Sequence, residues 1–345
     1  MNFLKNNTLG ILLCLLISLP STYLGSLFPI IGAPVFAILF GMLICMFFPI
    51  KGIVLPGVKF TSKIILQTAV VLLGFGLNLL AIFKTAQESL PIIVATISTS
   101  LIISFIVCKY MNIPTKLCTL IGVGSSICGG SAIAATAPVI KANDEEVGQA
   151  ISVVFFFNVL AALIFPSLAD YLGMSHGSIA FGIFAGTAVN DTSSVTAVAS
   201  TWDSLYNLGH ETLDKAVTVK LTRTLAIIPI TLVLSIIFAS RHDLTINQQA
   251  SGLKLYRMVP RFIVLFVLAS VITSVAMFFG ISEELFVPLK TLSKFFIVMA
   301  MAAVGLNCNL LKLIKTGSKP ILLGLLCWVG ITFVCLLLQY KMVIW

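Results

Sequence analysis

Gly124-Ser-Ser-Ile-Cys-Gly-Gly-Ser-Ala-Ile-Ala-Ala135 and Gly186-Thr-Ala-Val-Asn-Asp-Thr-Ser-Ser-Val-Thr-Ala197 align without a gap, each in the middle of a long apolar run. Glycine weakens a helix by about 1 kcal/mol relative to alanine, and Ser, Thr, Asn and Asp compete for its backbone groups. Both stretches therefore predict interrupted helices. In hydrocarbon an interruption strands amides away from water, so it survives only when buried in protein or lining a cavity. The freed helix ends offer N–H groups and partial positive charge to an anion. Close packing through small residues is the competing reading. Two aligned stretches, one of them carrying an acid, favour the interruption.

The runs around these stretches are apolar because the whole chain is. Of 345 residues, 59% are hydrophobic and 10% charged, with a mean hydropathy of +1.12. A soluble domain carries roughly 25% charged residues to cover its surface, so the solvent here is a bilayer. The net charge of +9 would suggest nucleic acid in a soluble chain. Here the basic residues sit in short loops, and no nucleic-acid partner is expected.

At about 20 apolar residues per crossing, spans fall near 8–27, 30–49, 63–83, 90–109, 116–140, 148–172, 177–200, 216–240, 258–279, 291–311 and 320–341. This predicts an all-α membrane protein of about eleven spans, one polytopic domain over 1–345. Lys5 and the apolar run Ile11–Leu19 resemble a signal peptide but lack a small-residue cleavage site, so they read as a retained first helix. With the N-terminus inside, thirteen Lys and Arg fall on the inner side and six on the outer. That bias predicts N-terminus in and C-terminus out. It holds whether the interrupted segments cross or turn back as hairpins.

A second internal similarity pairs Gly76-Leu77-Asn78, followed by Lys84-Thr85 and Pro91, with Gly305-Leu306-Asn307, followed by Lys315-Thr316 and Pro320. The two helices lie seven spans apart and run in opposite directions, as in the inverted repeats of secondary transporters.

Candidate chemistry gathers at the interruptions. Ser125, Ser126, Cys128, Gly129, Gly130 and Ser131 come from the first, and Asn190, Asp191, Thr192, Ser193 and Ser194 from the second. A charge at the centre of a span costs at least about 2.5 kcal/mol, so Asp191 needs a purpose. Lys220 and Arg223 lie one turn apart inside the eighth span. If Asp191 pairs with one of them, a positive charge remains, which favours an anionic substrate. A planar guanidinium suits carboxylate, sulfate or sulfonate oxygens. Asn158 is a supporting candidate, and Asn78 and Asn307 read as caps near span ends. Asp144, Glu145 and Glu146 form an acidic loop, with Glu146 a candidate to close over a site.

The remaining signals are negative. The eight cysteines contain no Cys-x-x-Cys pair, so no metal site or disulfide framework is expected. The three histidines lie in loops, which leaves no intramembrane relay. Hydrolase, zincin and phosphate-loop motifs do not occur, and an enzyme is not expected. The leading expectation is a secondary active transporter of a small anion, with no cofactor beyond a coupling sodium ion or proton. Membrane lipid is the other partner, and a homodimer stays open. The alternatives are a cation/proton antiporter using Asp191 and a membrane sensor without turnover.

Gly122-Val-Gly-Ser-Ser-Ile-Cys-Gly-Gly-Ser-Ala-Ile-Ala-Ala-Thr-Ala-Pro138 resembles the signature of the YeiH-type sulfate exporter family of bacteria. The acidic run ending at Glu146, Phe157-Asn158-Val-Leu-Ala, Lys220-Leu-Thr-Arg223 and Gly305-Leu306-Asn307 add to the resemblance, which covers most of the chain. It implies a multi-pass protein of the bacterial cytoplasmic (inner) membrane. It also implies kinship with bile-acid and sodium/proton transporters that cross broken helices. The sulfate label supports "anion" more than "sulfate". One departure stands out: where that family's pattern has a His-acid pair followed by Gln, this chain has Asn190-Asp191-Thr192-Ser193-Ser194. A proton-coupling role for such a histidine does not carry over.

Overall fold

Helices of apolar residues, with the polar interruptions turned inward, make up the molecule. The computed structural model describes residues 2–28, 32–48, 50, 52–75, 79–240, 261–279, 282–307 and 317–345. In chain order the first elements are α1 (Asn2–Leu27), α2 (Ala33–Phe47) and a run from α3 (Val54–Phe60) through a π-helical turn (Thr61–Ile65) to α4 (Leu66–Gly74). Next come α5 (Leu79–Met111), α6 (Thr115–Ser126), α7 (Gly130–Thr136), α8 (Asp144–Tyr171), α9 (Ser178–Ala188) and α10 (Thr192–Tyr206). The last are α11 (Glu211–Thr224), α12 (Ile227–Ser240), α13 (Arg261–Phe278), α14 (Val287–Asn307) and α15 (Ser318–Lys341). Among the described residues there is no strand, and seven helices are long and apolar enough to cross a membrane.

The two interruptions lie where the small-residue stretches fall. α6 ends at Ser126 and α7 begins at Gly130; α9 ends at Ala188 and α10 begins at Thr192. Each pair of equivalent ends is 62 residues apart, the offset of the gapless sequence alignment. Residues 116–140 and 177–200, read from the sequence as single spans, are thus each two short helices. Gly129 makes the first reversal, with φ +68°, a conformation that only glycine adopts without penalty.

Contacts at the segment ends show which way the chain turns. Lys116 Nζ donates to Lys141 O at 2.7 Å, so the entrance of α6 and the exit beyond α7 lie together. The His176 ring stacks on Tyr206 at 4.2 Å, and Tyr206 Oη donates to Asp170, so the entrance of α9 and the exit of α10 lie together too. Trp345 Nε1 donates to Gly173 O at 3.2 Å, bringing the C-terminus to that same end. Each interrupted segment thus brings its two ends together, a helical hairpin in shape.

α8 starts four residues earlier than its predicted span. Asn143 and Glu146 form a reciprocal capping box, with Glu146 N donating to Asn143 Oδ1 at 2.8 Å and Asn143 N to Glu146 Oε2 at 2.9 Å. The acidic stretch is therefore a helix start, and Glu146 is occupied as a cap. The predicted span 63–83 is displaced to Val54–Gly74. Gly76, Leu77 and Asn78 lie outside the described residues, as do Lys315 and Thr316, so the second internal similarity falls largely outside them.

Candidate functional site

α11 carries both intramembrane cations and packs along α9, α10 and α5. Lys220 and Arg223 are fully buried, each at 0% exposure, and both turn to backbone carbonyls at the hairpin tips. Lys220 Nζ donates to Ile127 O and to Val189 O, each at 2.8 Å. Arg223 Nε donates to Ser126 O at 2.7 Å and Nη2 to Ser125 O at 3.0 Å. Its Nη1 donates to Thr187 O and, at 3.4 Å, to Val189 O.

These acceptors pair up under the 62-residue offset. Ile127 matches Val189, and Ser125 matches Thr187. Each cation therefore bridges equivalent carbonyls of the two hairpins. The physical reason is that α6 and α9 point their C-terminal ends here, each carrying about half a negative charge with unpaired carbonyls. Two buried cations answer two such ends. The expectation that Lys220 and Arg223 face the substrate meets this geometry: neither is among the described residues lining the cavity beside the tips.

The tips touch on their other side. A Cβ added at Gly129 would stand 3.3 Å from Asp191 Cβ and 3.5 Å from Asn158 Nδ2. Asp191 is the N-cap of α10: its Oδ2 accepts from Ser193 N at 3.0 Å and from Ser193 Oγ. Asn158 Oδ1, from α8, accepts from Asn190 N at 3.1 Å and Asp191 N at 3.3 Å. Asn158 thus pins the second interruption from α8.

Beside this contact is a cavity of about 160 Å³ lined by Ser62, Gly130, Ile151, Phe155, Asn158, Asp191, Ser193, Val304 and Asn307. Asp191 is the only charged residue among them. Gly130, Asn158, Asp191, Ser193 and Asn307 were sequence candidates. Asn307, expected only to cap, lines the cavity at the end of α14, where its Nδ2 donates to Ser62 Oγ at 3.4 Å.

The other candidates lie near the tips but off the wall. Ser125, Ser126, Cys128, Asn190 and Ser194 are buried, Gly129 forms the turn, Thr192 is half-buried, and Ser131 is exposed. Asn78 is outside the described residues. Ser62, Ile151, Phe155 and Val304 were not foreseen. Ser62 sits in the π-helical turn Thr61–Ile65, a local irregularity common at functional sites that carries no sequence mark. Of the histidines, His210 lies in the turn before α11, where burial, then Lys294 and Lys290, push it down to about 4. No metal-binding cluster occurs among the described residues.

An all-helical polytopic membrane protein with two interrupted helical segments is the class this fold and site define. The family described as conserved hypothetical protein 698 matches residues 9–324. UPF0324 membrane proteins are close relatives. The one from Streptococcus pyogenes is 59% identical over 97% of each chain, and that of Streptococcus mutans is 55% identical over 97% of each. The Fusobacterium nucleatum protein is 54% identical over 97% of this chain and 98% of its own. The chain belongs to this family, the YeiH-type sulfate exporter family.

Proposed function

We propose that the protein is a secondary active transporter of a small anion in the bacterial cytoplasmic membrane, with Asp191 as the residue that couples transport to a proton or sodium ion. The observation that carries this reading is the cavity at the hairpin tips, walled by polar groups and one carboxylate. At about 30 Å³ per water, it has room for on the order of five waters, or a small oxyanion with little else.

In the proposed arrangement α1, α2, α3–α4, α5, α8, α11–α12, α13, α14 and α15 cross the bilayer. The α6–α7 and α9–α10 hairpins enter from opposite faces and meet near the middle, which gives the chain its inverted-repeat character. The N-terminus lies inside and the C-terminus outside. Turning the first hairpin back adds Lys141 to the inner, basic side, in keeping with the charge rule.

Coupling follows from Coulomb repulsion in a small, poorly hydrated space. An ionised Asp191 repels an anion from the cavity. A proton or sodium ion on Asp191 removes that repulsion, so anion and cation load together. Lys220 and Arg223 add positive potential from behind the tips while holding them in place.

A cation/proton antiporter is the second reading, favoured by one specific feature: Lys220 and Arg223 face carbonyls, and the only charge among the described residues of the cavity wall is negative. Solid-supported-membrane recordings on proteoliposomes separate the two. Currents that require sulfate, a sulfonate or a carboxylate, grow with an imposed pH or sodium gradient and lose that gradient dependence in Asp191→Asn support the anion reading. Currents driven by pH or sodium jumps alone, indifferent to every anion, move the assignment to the antiporter. Silence under all gradients would leave a non-transporting sensor.

A further inference from the structure

The far end of α14 from the cavity carries a charged cluster that the site does not use. Lys290 and Val304 are separated by about 21 Å at 1.5 Å per residue. At that far end Lys290 Nζ lies 3.4 Å from Asp214 Oδ2, with side chains only 13% and 10% exposed. One turn on, Lys294 Nζ donates to Gly209 O. Asp203 ties the same turn together, accepting from Thr212 N and Leu213 N at 3.0 Å each. Two lysines of α14 thus hold the α10–α11 turn.

Between this cluster and the tips runs a buried face of α10. Ser194, Ala197 and Thr201 follow helical spacing along one face of α10, Asn190 lies just before the helix, and all four are buried. Asn190 Oδ1 and Thr201 Oγ1 have no hydrogen-bond partner among the described residues, and Thr201 abuts Gly32 at the start of α2. Buried polar atoms left unpaired are expensive and call for an explanation.

We infer that Lys290 and Lys294, with Asp214 and the Gly209 turn, form the closed outer gate of the transit path, and that the α10 face is its outward half. The structure is then the inward-facing state. Opening requires the α14 lysines to release the turn. The movement reaches the tips through α11, because Asp214, Lys220 and Arg223 share that helix. This inference rests on the transporter reading, and its test is conformational.

Hydrogen exchange on the full-length protein in nanodiscs provides that test. In Lys290→Gln/Lys294→Gln, peptides within 197–214 should exchange about fivefold faster, the population change given by about 1 kcal/mol. Peptides covering 61–65 and 151–158 should exchange about fivefold slower, because the inner mouth closes as the outer opens. The charge-swapped Lys290→Asp/Asp214→Lys should return both regions to the native pattern. Faster exchange outside without slowing inside, or a swap that fails to restore the pattern, overturns the gate. General unfolding of the double Gln variant leaves the swap to decide. Absence of flux in recordings counts against transport and leaves the exchange result untouched.

Discussion

Arg223 concentrates the energetics of the site, because one guanidinium satisfies carbonyls from both hairpins. It donates to Ser125 O, Ser126 O and Thr187 O in a fully buried setting. Removing a buried donor so that its acceptors are left unsatisfied typically costs about 1–3 kcal/mol. Arg223→Ala should therefore lower stability by about that much in denaturant or thermal unfolding of the purified protein. Arg223→Lys should recover only part of it, since an ammonium lacks the planar fork that reaches both tips. Equal stability of Ala and Lys variants would deny the bridging role. Asp191 and Arg223 were legible in the sequence because a charge inside an apolar run demands a reason. Their division of labour was not, since spacing along a helix does not say whether a cation meets a ligand or a carbonyl.

The elements that frame the cavity depend on close backbone approach. α2 and α14 cross where a Cβ on Gly305 would stand 2.3 Å from Ile38 O and one on Gly41 would stand 2.5 Å from Ala302 O. Gly305 sits between Val304 on the wall and the Leu306–Asn307 end of the helix. Gly305→Ala should force the helices apart, destabilising the protein by about 1–3 kcal/mol and reducing flux. Gly148→Ala, on α8 with nothing near its added Cβ, should be neutral or slightly stabilising. Comparing the two melting shifts checks the point. At this scale the hairpin interruptions were well marked, because backbone preference is local and the two stretches share one pattern. The π-helical turn bearing Ser62 was hidden, because no residue in it marks the irregularity; α3, the turn and α4 all pack against α14.

Across the whole molecule, the side on which each segment end lies distinguishes hairpins from crossings. Lys141 contacts Lys116 at one end of the bundle, whereas a crossing at 116–140 places it at the other. A Lys141→Cys variant should react with a membrane-impermeant maleimide only from the cytoplasmic side, measured against the parent chain in right-side-out and inverted vesicles. Labelling from outside would replace the hairpin with a span and reverse the direction in which α8 crosses the bilayer.

Composition alone determined that this chain lives in lipid, because 10% charged residues cannot clothe a soluble surface. Local backbone chemistry determined where its helices break, since glycines and short polar side chains act within a turn or two of themselves. Tertiary structure decided the rest. It set which way each broken helix turns, that α6 and α9 bring their carbonyl ends to the same two cations, and that the acid faces the cavity while the bases face away. Those outcomes arise from dipoles and charges of segments far apart in the chain meeting in one low-dielectric place, and a linear pattern carries no record of that meeting.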